Sequence, residues 1–113
     1  MLTYDQAMDI LRTARTPAKK LGNNTYLRRV SDTTIAVVLH TTEVVRIHDD
    51  GTYTLNSGGW RTVTTKDRLN AYSPASVSQR NHDWYVGAEP FYDCIRVDSA
   101  GQVVSDRLSE MTA

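Results

Sequence analysis

Between Leu55 and Arg68 the chain gathers two glycines, a tryptophan, four hydroxyls, an amide and three cations. Groups of these types hold small anions. Consecutive Gly58 and Gly59 let backbone N–H groups come close to a ligand, and Thr64 reads as the opening of a short helix whose N-terminus attracts negative charge. Arg61, Lys66 and Arg68 can neutralise a phosphate, and Trp60 can stack on a base. The expected ligand-binding set is Asn56, Ser57, Gly58, Gly59, Trp60, Arg61, Thr64, Thr65 and Lys66, assisted by Arg46 and His48 from a neighbouring polar strand face. The competing reading is a tight turn whose tryptophan completes the core. The spacing is not that of a Walker phosphate loop, because the glycine-to-Gly-Lys-Ser/Thr interval is absent.

Other chemistry-bearing residues are more scattered. His40, His48 and His82 could act with Asp49, Asp83 or Cys94, but no His-x-x-x-His, Cys-x-x-Cys or His-Glu-x-x-His spacing occurs, so neither a metal nor a cofactor is expected. A metal-independent nuclease with two imidazoles as acid and base is the enzymatic alternative, with Lys66 or Arg61 on the phosphate. Tyr26, Arg28, Arg29 and the cations of the first helix form a conceivable RNA- or DNA-binding surface, set against an ordinary solvated face. Trp84-Tyr85-Val86 and Phe91-Tyr92 read as core, with a partner interface as the other use of such a cluster. Cys94 reads as a buried thiol.

These residues need a scaffold, and the length of 113 residues allows one domain with one core. With 40% hydrophobic and 23% charged residues the composition is that of a globular protein, and no apolar run approaches the ~20 residues a membrane span needs. The first residues lack the basic start and apolar stretch of a secretion signal, and a lone Cys94 fits a reducing cytoplasm. Net charge is zero, yet residues 1–29 carry six cations against two acids and residues 30–113 carry seven against eleven. A duplex nucleic-acid binder ordinarily shows a basic excess, so this balance does not favour one.

Thr3-Tyr4-Asp5-Gln6 matches a capping box, and Ala7, Ile10, Leu11 and Ala14 follow at helical spacing, predicting a helix over 4–15 that Thr16-Pro17 ends. Lys19 to Asn24 reads as a loop. The period then becomes two: strands are predicted over 25–30, 34–40, 43–48 and 52–56. The second is apolar on both faces, which predicts the first helix on one side and further cover on the other. Pairing His48 with Thr52 across Asp49-Asp50-Gly51 puts Ile47 opposite Tyr53, Val45 opposite Leu55 and Arg46 opposite Thr54. That leaves a polar face of Arg46, His48, Thr52, Thr54 and Asn56. A short helix near 65–72 stops at Ser73-Pro74. A polar loop runs through His82, followed by strands over 83–88 and 91–97, a turn at Ser99-Ala100-Gly101 into Gln102-Val103-Val104, and a tail over 105–113.

The segments Lys20-Leu21-Gly22-Asn23-Asn24-Thr25-Tyr26-Leu27, Leu39-His40-Thr41-Thr42-Glu43-Val44-Val45 and Asp50 to Asn70, with its Asn56-Ser57-Gly58-Gly59-Trp60 core, resemble a family of small proteins encoded by tailed bacteriophages. The resemblance covers roughly half the chain and leaves residues 73–113 unmatched. It implies a phage accessory protein in the cytoplasm of an infected bacterium, with no activity attached. The reading is therefore an α+β fold: one domain over 1–113, an N-terminal helix on a mainly antiparallel sheet of about five to seven strands, and a short second helix. Its expected role is capture of a small anionic, nucleotide-like ligand or a host factor without catalysis, such as sequestration of a defence signal. The alternative is a protein–protein inhibitor of a host enzyme. Nucleic acid is not the favoured partner, a membrane is not expected, and a symmetric homo-oligomer is one way to complete a pocket.

Overall fold

A computed structural model describes residues 1–13 and 18–104. The first helix, α1 (Tyr4–Arg12), opens on the expected capping box: the Gln6 N–H donates to Thr3 Oγ1 at 3.2 Å, and the Thr3 N–H donates to Gln6 Oε1 at 3.0 Å. Its stripe of Ala7, Met8, Ile10 and Leu11 lies on the core, with Ala7 fully buried. Ala14 to Pro17, where the sequence predicts the helix to end, lie outside the described residues.

Nine strands follow among the described residues: β1 (Ala18–Gly22), β2 (Thr25–Ser31), β3 (Thr34–Leu39), β4 (Thr42–His48), β5 (Tyr53–Leu55), β6 (Val77–Arg80), β7 (Asp83–Val86), β8 (Glu89–Pro90) and β9 (Ile95–Val97). A second helix, α2 (Val63–Tyr72), separates β5 from β6. They form two antiparallel sheets, one in the order β1-β2-β3-β4-β5-β9 and one in the order β6-β7-β8. The fold is thus a single compact α+β domain with its N-terminal helix on a sheet. The β4–β5 register is the predicted one, with Val45 opposite Leu55, Arg46 opposite Thr54 and Ile47 opposite Tyr53.

Two segments read as loop contain strands, and of the strand read over 91–97 only Ile95–Val97 is one. Lys19 to Gly22, read as loop, belong to β1, which pairs only with β2 and so lies at an edge. Lysines are common on such edges because they discourage pairing with another chain, and they erase the alternation that marks a strand. The polar loop before His82 contains β6, whose Ser78, Gln79 and Arg80 are exposed and leave only Val77 as a buried signal.

β3 is covered on both faces, as its apolar run predicts. Ile35, Val37 and Leu39 join the core with Ala7 from α1, Leu69 from α2 and Val77, Trp84, Val86 and Phe91 from the second sheet region. Ala36 and Val38 point the other way and are also buried, yet lie outside that core. Their cross-strand partners are Arg28 and Arg46 for Ala36, and Tyr26 and Glu43 for Val38. Glu43 bonds both arginines, so the stems of long polar side chains provide the cover.

The second sheet is fastened to α2 by one side chain. Asn70 Nδ2 donates to the Val77 carbonyl at 3.0 Å and Asn70 Oδ1 accepts the Val77 N–H at 2.7 Å, imitating a strand at the edge of β6. Replacing Asn70 with alanine removes both partners of buried Val77. It should lower unfolding stability by about 1–3 kcal/mol, measured by denaturant titration.

Candidate functional site

Three chain reversals and one helix start converge at one end of the large sheet. The β1–β2 turn brings Asn23 and Asn24, the β3–β4 turn brings His40 and Thr41, and β5 ends in the corner from Ser57 to Trp60 that leads into α2. Asn24 and His40 have φ of 53° and 57°, a left-handed conformation that only Asn, Asp and His among larger residues adopt with any frequency. The His40 N–H donates to the Asn24 carbonyl at 2.7 Å and locks the two turns together.

These elements enclose a pocket of about 670 Å³ lined by Asn23, Asn24, Leu39, His40, Thr41, Thr42, Val44, Ser57, Trp60, Thr62, Thr64, Thr65 and Arg68. Its apolar floor depends on a β-bulge. Val37 faces Val45 but Val38 faces Glu43, so Val44 is an extra residue that joins Val45 in the core. Such an insertion re-aims a side chain. Without it, alternation would turn Val44 to the outer face.

The corner is held from a distant part of the chain. Ser57 is buried, and both its N–H (2.9 Å) and its hydroxyl (2.7 Å) donate to Asp93 Oδ1. Burial works against ionisation of Asp93, but the two Ser57 bonds, the nearby Arg61 charge and the Gly59 N–H outweigh it and hold the carboxyl below its ordinary 3.8. Within the corner, the Gly58 N–H donates to Asn56 Oδ1 at 3.1 Å, the Gly59 N–H to Ser57 Oγ at 3.2 Å and the Trp60 N–H to the Ser57 carbonyl at 3.0 Å. Gly58 has φ of 62°, and a Cβ built on it would stand 2.6 Å from Thr42 Cγ2.

Of the residues expected to bind a ligand, Ser57, Trp60, Thr64 and Thr65 line the pocket; Asn56, Gly58, Gly59, Arg61, Lys66, Arg46 and His48 are outside its lining. Trp60 is 68% exposed, whereas Trp84, at 3%, is the tryptophan that completes the core. The three nearby cations divide. Arg68 lines the pocket and donates from Nε to Thr25 Oγ1 at 2.8 Å. Arg61 reaches instead over the rings of Phe91 and Trp84, at 5.0 and 5.7 Å from their centroids. Lys66 is half-buried on α2. The helix starts two residues earlier than Thr64 suggests: Thr62 is the N-cap, its Oγ1 accepting the Thr65 N–H at 3.2 Å.

Arg46 and His48 lie on the outer face. Arg46 donates to Glu43 from Nε at 2.8 Å, and the His48 ring nitrogens bond the Thr34 and Thr54 hydroxyls at 3.0 and 2.8 Å. The other histidines are remote from it, His40 at the pocket and His82 in the β6–β7 turn with φ of 72°. Among the described residues, no three His, Cys, Asp or Glu side chains are grouped to hold a metal ion. Cys94, read as buried, is exposed because it sits with φ of 69° in the turn before β9 rather than in a strand. Asn23, Asn24, His40, Thr41, Thr42, Thr62 and Arg68 are pocket residues outside the expected set. The two asparagines and His40 belong to turns whose convergence requires the sheet.

Residues 5–101 match the family described as Kyanoviridae Gp96 protein, and the chain belongs to this phage protein family. The match runs through most of the segment after residue 73 that the resemblance left unmatched. No curated protein and no solved structure matches the chain. No described helix is long and apolar enough to cross a membrane.

Gly58→Ala meets both a left-handed φ and the Thr42 side chain and should cost about 1–3 kcal/mol; Gly59→Ala, with φ of 85° but no atom within 4 Å of its Cβ, should cost less in the same denaturant titration. Burial, then the Arg96 and Arg46 charges, lower the folded His48 pKa below 6.5 against the opposing pull of Asp50 and Asp49. The unfolded chain therefore binds this proton more readily, so stability is complete above pH 6.5 and falls as pH drops toward the folded value. Asp50 and Asp93, both lowered from 3.8, lose their contributions only below that pH. Unfolding midpoints measured between about pH 7.5 and about pH 5 should decline, and His48→Asn should flatten the decline.

Proposed function

We propose that this phage protein captures a small anionic ligand with a planar ring, a nucleotide-like molecule, in the pocket between the turns and α2, and does so without converting it. The observation that carries the reading is the presence of Trp60 and Arg68 on one hollow whose described lining contains hydroxyls, amides and an imidazole but no carboxylate. An exposed indole offers a face for stacking. The Arg68 guanidinium, partly oriented by Thr25, supplies charge-assisted donors for a phosphate. The hydroxyls of Thr41, Thr42, Thr62 and Thr64 suit a sugar, and the volume falls within the range of small-molecule sites.

Capture rather than catalysis follows from what surrounds the ligand position. His40 is the sole imidazole of the lining and has no carboxylate beside it there, so the pocket offers one titratable group where acid–base chemistry on a phosphate ester uses two. The role this assigns is sequestration of a host nucleotide signal in the cytoplasm of an infected cell.

A thermal-shift panel of mono-, di- and cyclic nucleotides tests it, because a ligand at a hundred times its Kd stabilises a fold by about 2.7 kcal/mol. Arg68→Gln should weaken the responding ligand about 10- to 100-fold, the loss of a charged hydrogen bond, and Trp60→Ala should abolish the accompanying change in tryptophan fluorescence. Lys66→Ala, outside the pocket lining, should leave affinity unchanged. Binding that needs Arg61 and Lys66 but tolerates loss of Arg68 and Trp60 would place the ligand elsewhere.

A further inference from the structure

The register of the large sheet aligns arginines in a way that residue spacing alone does not show. Arg28 on β2 stands opposite Ala36 on β3, Ala36 opposite Arg46 on β4, Arg46 opposite Thr54 on β5, and Thr54 opposite Arg96 on β9. One cross-strand row of the outer face thus reads Arg-Ala-Arg-Thr-Arg. Strands lie about 4.8 Å apart, so the Cα atoms of successive arginines are about 9.6 Å apart and the row is about 19 Å long, while Glu43 draws the Arg28 and Arg46 guanidinium groups toward each other. The adjoining row carries Lys20 opposite Tyr26, with Tyr26 40% exposed. Across both rows four cations stand against one carboxylate, Glu43, with Asp50 approaching Arg96 at 3.8 Å from the β4–β5 turn.

We infer that this outer face is a binding surface for single-stranded nucleic acid, separate from the pocket. A linear polyanion is the partner that a regular row of arginines complements, and each arginine of the Arg28–Glu43–Arg46 bridge keeps nearly half of its side chain exposed, 48% in both cases. Glu43 fixes the two guanidinium groups while further N–H donors face solvent. The small residues between the arginines keep the row low, and Tyr26 offers one ring on which a base can stack beside the row. A duplex is the poorer fit. Reading a groove requires a projecting helix or ribbon, and α1, α2 and the second sheet all pack on the opposite face.

The test is fluorescence anisotropy with labelled single-stranded DNA and RNA of about 12 nucleotides and a duplex of equal length. Contacts from Arg28 and Arg46 predict a slope of log K against log salt of about −1.4, or about sevenfold weaker binding when salt rises from about 50 to about 200 mM. Arg46→Gln should weaken binding and reduce the slope by about 0.7. Glu43→Gln removes the one carboxylate of these rows and should tighten binding, an outcome that misfolding does not produce. Trp60→Ala should leave oligonucleotide affinity unchanged, which separates this surface from the pocket. Failure to bind at low salt, equal or tighter binding of the duplex, or wild-type affinity in an Arg28→Gln/Arg46→Gln variant shown to be folded by circular dichroism would overturn the inference.

Discussion

One unbroken row of apolar side chains carries this protein. Leu27, Val37, Val45, Leu55 and Ile95 stand opposite one another in sequence across five strands, and each is fully buried. Burial of side chains this size is worth about 1.5–3 kcal/mol each, and a slip of one residue in any pairing would turn that strand's whole set toward water. The row therefore fixes the register of β2 through β5 and of β9. It also decides on which side α1, α2 and the second sheet must pack.

The pocket and the arginine row are consequences of that choice. Because all covering elements gather on one face, the hairpin turns at the end of the sheet are free to meet the corner after β5. The bulge at Val44 gives the hollow an apolar floor, and the Asp93 carboxylate pins Ser57, so Trp60 can stand exposed on a backbone that is itself held. Arg61 serves this arrangement without entering the pocket, joining the corner to Phe91 and Trp84. On the other face the neighbouring row inherits the same register, which is why Arg28, Arg46 and Arg96 align.

Much of the local structure was legible. The capping box of α1, the alternation of β2, β4 and β5, the continuous apolar run of β3 and the glycine of the Asp49-Asp50-Gly51 turn act over a few residues, and the elements they imply are present. Less was legible where tertiary pairing supplied the stabilisation: β1 is a lysine-bearing edge and β6 shows one buried residue, so neither announces itself by periodicity. For the site, the rich stretch from Asn56 to Arg68 pointed to the right end of the molecule, since Ser57, Trp60, Thr64 and Thr65 line the hollow. Nothing in it told Arg68 from Arg61 and Lys66, because the direction of a long cation depends on what it can reach.

The sequence by itself determined which segments are amphipathic, where the chain can turn, and that a hydroxyl-rich, glycine-hinged corner follows β5. Only the tertiary structure decided that Asn24 and His40 meet, that Asp93 clamps Ser57 across 36 residues, and that three arginines from distant strands share a row. Periodicity and capping are set by near neighbours along the chain, whereas these contacts exist only once the buried row has closed the sheet.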